Sequence, residues 1–323
     1  MSKYNTDLDY VLLDIDISRE ELEEIKAEAD RIISEGKESK ENLAAAYLKK
    51  AQCIRKIHSG ISGRFIFYEN ISPLSKKVKK NIRELLEKAL ELSPDMPEVL
   101  VQLGLLYEHM YSIERNFKAK LFFSRAIQLK PEYAAAFNNR AMCSCFFLSH
   151  FDYLIDEHED KGHFEKQKIN LKNAITDLTE AIRIRPLDAL YHLNRGMFYA
   201  RLSEHKEAVE DFSNAINYAS DTLRESLETV ALALSLIGKE YTELKEYSKA
   251  KDNFTKSLLL NPGSLAPDCI ITLLLRGKVY YLLGEKDKAK ADMEEFINCR
   301  RKSADHWSRI EISKLIGVMP EDI

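Results

Sequence analysis

One short phrase returns along the chain and limits what it can fold into. Lys88-Ala89-Leu90-Glu91-Leu92-Ser93-Pro94 reappears as Arg125-Ala126-Ile127-Gln128-Leu129-Lys130-Pro131 and as Glu180-Ala181-Ile182-Arg183-Ile184-Arg185-Pro186. It reappears again as Lys256-Ser257-Leu258-Leu259-Leu260-Asn261-Pro262, and as Asn214 to Ser220 without its proline. The anchors 89, 126, 181, 215 and 257 stand 37, 55, 34 and 42 residues apart. Self-similarity at such a period marks a stack of small supersecondary units rather than one mixed core.

Each phrase closes a helix. Ala208, Phe212, Ala215 and Ile216, or Ala250, Phe254 and Leu258, recur at three and four and so share one helical face. The proline then stops the helix. A second helix precedes it, with a small residue and an aromatic three later: Gly104 with Tyr107, Gly196 with Tyr199, Gly238 with Tyr241, Gly277 with Tyr280. In three of these, small residue and following alanine stand 12 apart, at 196 and 208, 238 and 250, 277 and 289. A residue without bulk lets the paired helix approach, and the aromatic is expected to fill the gap between neighbours.

These anchors at fixed offsets resemble the tetratricopeptide repeat family, helix-turn-helix units of 34 residues. The resemblance implies an all-α fold, an α-α superhelix or solenoid of about six such repeats with capping helices. The units are placed at 40–96 with a loop insertion, 97–133, 134–188 with an extended hairpin insertion, 189–222, 231–264 and 270–303. Residues 1–39 are read as an N-terminal tail and capping helix, and 304–323 as a C-terminal capping helix and tail. Ser18 and Glu21 can form a capping box ahead of the stripe Leu22, Ile25, Ala29 and Ile32, and Gly36 permits a left-handed exit. Val11 to Ile17 suits an extended tail docked on the body or a segment lying in the groove, and both stay open. Stacked units share one continuous core, so a prior of about two domains for this length does not apply.

Composition agrees. With 11 Gly and 8 Pro the chain is poor in turn formers for a mostly-β protein. Lys and Arg number 48 against 52 Asp and Glu, so no global positive field invites nucleic acid. Cys53, Cys143, Cys145, Cys269 and Cys299 are odd in number and contain no C-x-x-C, which suits a reducing compartment. No secretory signal and no run of about 18 apolar residues is visible, so a cytoplasmic location without membrane insertion is expected.

No chemistry-bearing motif stands out. Gly60-Ile61-Ser62-Gly63 lacks the context of a phosphate loop, and no Gly-x-Ser-x-Gly occurs. His150, His158 and His163 lie among acids without metal-ligand spacing and read as a charged hairpin tip, with Asp160 to His163 as its turn. Lys76, Lys77, Lys79 and Lys80 precede Glu84, Glu87 and Glu91 and read as a charged helix surface. No enzyme, cofactor or metal site is expected.

Function is expected in a concave face made by the first helix of each unit. Carried over from the family, that face holds Asn138, Asn139 and Met142, then Leu190, Asn194 and Met197, then Lys239, then Lys278 and Tyr281. Asn139 and Asn194 hold the same repeat position, each ahead of an arginine, and an amide can both donate to and accept from an extended peptide. A clamp for a C-terminal carboxylate, known in some family members, is matched only by an asparagine in the middle unit. The expectation is a non-enzymatic scaffold that binds a peptide or helical segment of a protein partner. The alternative is a structural, self-associating protein using the 59–72 loop, with Phe65, Phe67 and Tyr68, or the 145–165 hairpin.

Overall fold

The computed structural model describes residues 18–59, 74–108, 113–143, 161–219, 224–260 and 267–302. The tail before residue 18, the loop with Phe65, Phe67 and Tyr68, most of the 145–165 hairpin and the C-terminal cap fall outside these residues. Among the described residues all regular structure is helical. The chain divides into two compact bodies, 1–152 and 153–323, which are taken in turn.

The first body contains α1 (Arg19–Glu35), α2 (Lys40–Ser59), α3 (Lys76–Leu92), α4 (Pro97–Glu108), α5 (Ile113–Leu129) and α6 (Ala134–Met142). α1 starts in the capping box its sequence encodes. Ser18 Oγ accepts from the Glu21 amide at 3.2 Å, and Glu21 Oε2 accepts from the Ser18 amide at 2.8 Å. Gly36 ends it at φ 61°. Leu22 and Ala29 are buried as α1 lies along α2, where Cys53 packs with Leu22, Ile25 and Ile57. Burial pushes the Cys53 thiol up to about 11, which leaves it an unreactive apolar side chain.

α2 pairs with α3 and α4 with α5, and α6 packs on α5. Leu48, Ala51 and Ile54 of α2 meet Ile82, Leu86 and Ala89 of α3, and Leu103 and Leu106 of α4 extend that cluster. The next cluster gathers around Phe123 of α5. A buried side chain of this size contributes roughly 1.5–3 kcal/mol, so each hairpin is held first by the packing of its own two helices, which the next helix extends.

The second body contains α7 (Lys161–Ile184), α8 (Ala189–Arg201), α9 (His205–Tyr218), α10 (Arg224–Glu243), α11 (Tyr247–Leu260), α12 (Pro267–Leu282) and α13 (Lys286–Lys302). α7 begins at Lys161, inside the four residues read as a turn, so Lys161 to His163 are helical. The hairpins are α8/α9, α10/α11 and α12/α13, and α9 packs on α10 as α11 does on α12.

The small residues do what their spacing demands and let the paired helix approach. A Cβ on Gly104 would lie 2.5 Å from the Phe123 ring, on Gly196 2.7 Å from Phe212, and on Gly238 2.7 Å from Phe254. The aromatic on the second helix fills the notch, while Tyr107, Tyr241 and Tyr280 pack against the core clusters beside it. At Gly277 the partner is Met293 and the nearest atom would be 3.3 Å away. Tyr199, Tyr241 and Tyr280 have another task. Their carbonyls accept from the amides of Glu204, Glu246 and Glu285 at 3.0, 2.8 and 2.9 Å, closing the same turn three times.

Candidate functional site

The first helices set the geometry of any concave face. In the second body, α10 and α12 are joined directly, with Ser235 Oγ and Thr272 Oγ1 2.7 Å apart and both residues buried. In the first body, α2 reaches α4 in the same way, Arg55 Nη1 donating to Gln102 Oε1 at 3.2 Å. In each body, two successive first helices, α10 and α12 or α2 and α4, therefore lie side by side.

The rotation of these helices is fixed by a recurring arginine. Arg195 of α8 donates from Nε and Nη2 to the two oxygens of Asp211 on α9, at 2.7 and 2.8 Å, and from Nη1 to Thr179 Oγ1 on α7 at 3.2 Å. Arg276 of α12 repeats the set with Asp292 on α13, at 2.8 and 2.7 Å, and with Thr255 on α11 at 3.4 Å. Arg140 of α6 donates to Ser124 Oγ on α5 at 3.2 Å. Each arginine clips its helix to the helix before it. The bidentate fork suits a guanidinium and would not survive replacement by lysine.

Burial alone would push the Asp211 carboxyl up, but the hydrogen bonds from Arg195 and His192 outweigh it and hold the group below the usual carboxylate range. The Asp211 bond raises Arg195 in turn, against the opposing pull of burial. At the next junction His205 Nδ1 meets the buried Glu240 at 2.6 Å.

Against this frame the expected site residues separate into two groups. Asn138, Asn139, Met142 and Asn194 are buried, and Asn138 Nδ2 donates to Asn139 Oδ1 at 3.1 Å. Leu190, Met197, Lys239, Lys278 and Tyr281 are half-buried and reach the surface. All five lie in the second body, on α8, α10 and α12. Lys286 Nζ stands 5.6 Å from the Tyr281 ring centre.

Sequence reasoning missed the clip. Its signal is nonetheless present: an arginine directly before the small residue at 140, 195 and 276, and an aspartate directly before the packed residue at 211 and 292. Among the described residues no three of His, Cys, Asp and Glu gather to hold a metal ion, and no helix is long and apolar enough to cross a membrane.

The tetratricopeptide repeat profile matches residues 231–264 and 272–302, the segments of α10/α11 and α12/α13. The profile described as anaphase-promoting complex subunit 5 matches residues 132–239. The Hsp70-Hsp90 organising protein of Plasmodium falciparum is 32% identical over 105 residues, which is 32% of this chain and 18% of that protein. Anaphase-promoting complex subunit 3 of Schizosaccharomyces pombe is 24% identical over 212 residues, 65% of this chain and 26% of that one. The chain thus spans about a quarter or less of these relatives. Among solved structures, PilF of Pseudomonas aeruginosa superposes with a TM-score of 0.56 at 15% identity, covering 86% of this chain and 98% of that one, a likeness of fold. With the repeat profile on two of its hairpins and the glycine-aromatic notch recurring in others, the chain carries tetratricopeptide repeats.

Proposed function

We propose that the chain is a non-enzymatic scaffold that holds a segment of another protein against the first helices of its second body. The observation that carries this is the direct Ser235–Thr272 bond between α10 and α12. It makes neighbouring first helices one layer, and Lys239 and Lys278 occupy equivalent places on it. Leu190, Met197 and Tyr281 supply apolar contact, and the two lysines favour an acidic flank on the ligand. Asn194 is buried below this surface and sets it from beneath. In the first body Asn138, Asn139 and Met142 play the corresponding part on α6. The ligand is an extended segment or a short amphipathic helix, read by a few anchors and backbone hydrogen bonds.

The relatives' names support the reading: one is an organising protein for Hsp70 and Hsp90, the other a subunit of the anaphase-promoting complex. The test is quantitative capture of partners from native lysate by the full chain. It is repeated with Lys239→Glu and Lys278→Glu together, and with Asn139→Ala and Asn194→Ala together. Loss of one amide contact corresponds to about 0.5–1.5 kcal/mol, so capture should fall several-fold while the circular dichroism spectrum stays helical. Undiminished capture by both variants sinks the concave-face reading, and turnover dependent on a defined residue set sinks the scaffold reading.

A further inference from the structure

The second helices of the hairpins share one plan, so each serves as a control for the others. Three buried positions fix their register. Ala119, Phe123 and Ala126 on α5 correspond to Ala208, Phe212 and Ala215 on α9, and to Ile82, Leu86 and Ala89 on α3. Ala174, Ala250 and Ala289 hold the first of these positions on α7, α11 and α13. The residues two before and two after that position are exposed on all six helices. On α3 they are Lys80 and Glu84, on α7 Lys172 and Thr176, and on α9 Lys206 and Glu210. On α11 they are Ser248 and Asp252, and on α13 Asp287 and Ala291. On α5 they are Phe117 and Leu121, 63% and 55% exposed. Single exposed apolar residues are ordinary. A large pair one turn apart, where the repeat otherwise places polar or small side chains, is not.

The packing of α5 leaves this pair outside. Ala119, Phe123 and Ala126 face the core, and the Phe122 ring stacks on Tyr107 of α4 with centres 5.7 Å apart. Asn116 donates to the Cys143 carbonyl at the end of α6 at 2.7 Å, and Ser124 accepts from Arg140 of α6. Phe117 and Leu121 lie on the remaining stripe with Lys118, Arg125 and Gln128, all exposed. The charge carried by α5 here has one sign. From Asn116 to Lys130 the chain holds Lys118, Lys120, Arg125 and Lys130 and no acidic residue. Asp95 stands beside Arg125 at 3.4 Å and Glu98 beside Lys130 at 3.0 Å, both toward the C-terminal end of α5 and away from Phe117.

We infer that this stripe of α5 is a second docking surface, for an acidic amphipathic helix of a partner protein. Phe117 and Leu121 match apolar residues set three or four apart on such a helix, and Lys118 and Lys120 match its flanking carboxylates. A second copy of this chain fits poorly. A two-fold pairing sets the same patch against itself, and so cations against cations. Two side chains also bury far less than the roughly 1,200–2,000 Å² of a stable specific interface, which points to a short segment rather than a folded face. The surface belongs to the first body and does not rest on the one proposed on α8, α10 and α12.

The test is fluorescence anisotropy with two labelled peptides of about 18 residues, long enough to hold a helix. Both carry leucines at i and i+4, one flanked by glutamates and the other by lysines. The full chain carries Lys239→Glu and Lys278→Glu throughout, which removes the cations of the second-body surface. The glutamate peptide should bind, more weakly as salt is raised. Phe117→Lys with Leu121→Glu installs the α9 residues at exposed positions without changing net charge. It should weaken binding by about tenfold or more, the scale of one large apolar side chain. Where that variant does not fold, Lys118→Glu with Lys120→Glu replaces it and should turn the preference toward the lysine peptide. No binding of the glutamate peptide, equal binding of the lysine peptide, or undiminished binding by the variants overturns the inference. So does a dimer in sedimentation that Phe117→Lys with Leu121→Glu dissolves, because the stripe would then join copies of the chain. Tighter attachment to phosphatidylserine vesicles, with the same dependence on Phe117 and Leu121, overturns it in favour of a membrane surface.

Discussion

Around α8 to α13 the buried polar side chains are in company. Asp211 and Asp292 are each held by an arginine fork, Glu240 by His205, Ser235 by Thr272, and Ser257 by the Ala231 carbonyl at 2.6 Å. Around α2 to α5 several are not. Gln52 Nε2 and Oε1, Arg83 Nε and Asn116 Oδ1 are buried without a hydrogen-bond partner, and among the described residues every such atom lies in the first body. The same repeat plan has thus been filled in two ways. An unpaired buried polar group costs about 1–3 kcal/mol of desolvation that nothing returns. The second body uses its polar groups to fix helix against helix, whereas the first relies on apolar contact and carries part of its polar content at a loss.

The strongest way to break the contrast is to create an orphan in the second body. Arg195→Ala leaves Asp211 buried with His192 alone, and loss of one partner from such a pair costs about 3–5 kcal/mol. Urea unfolding of the full chain at pH 7 should show a midpoint shift of that size in the second body. The pH dependence has a definite sign. Asp211 is depressed in the fold, so its contribution is present above the unfolded value of about 3.9 and is lost as pH falls through the lower folded value. The variant should therefore lose less stability than the unaltered chain on acidification to about pH 3. An equal loss would mean that the fork does not hold the carboxylate.

A milder comparison exchanges sign between the bodies. Gln52→Leu removes an orphaned amide and keeps its volume, so it should stabilise by about 1 kcal/mol. Ser257→Ala removes a satisfied hydroxyl and its bond to the Ala231 carbonyl, so it should destabilise by about 1 kcal/mol. Two variants shifting the unfolding midpoint in the same direction would erase the distinction between the bodies.

What could be read from the residues follows the same line. The hairpins were legible because the glycine and alanine anchors keep fixed spacing, and close packing of helices forces that spacing on any such sequence. The capping box at Ser18 and Glu21 was legible because it is closed within one turn. The arginine fork was not, since Arg195 and Asp211 meet only after the hairpin folds back and nothing in local periodicity pairs them. The amides illustrate a different limit. Asn139 and Asn194 share a repeat position, as the sequence indicates, yet both are buried, and the half-buried surface is made by Leu190, Met197, Lys239, Lys278 and Tyr281. Equivalence along the chain fixes where a residue sits on its helix, not how deeply its neighbours cover it.

The smallest effect concerns backbone rather than side chains, and shows that the second body is not satisfied in every respect. Its three hairpins turn at Ser203, Lys245 and Gly284, with φ of 59°, 61° and 78°. The hydrogen bonds are the same in each, from these amides to the carbonyls of Ala200, Thr242 and Tyr281, all at 3.0 Å. Only the last turn uses a residue without a Cβ, and a side chain in the left-handed region costs about 1–2 kcal/mol. Glycine regains part of that and loses some to the greater freedom of the unfolded chain. Ser203→Gly and Lys245→Gly should therefore each stabilise by about 0.5–1 kcal/mol, and Gly284→Ala should destabilise by a similar amount. Thermal unfolding of the three variants checks this directly. If Ser203→Gly and Lys245→Gly prove destabilising, the Ser203 and Lys245 side chains contribute something at those turns that outweighs the backbone strain.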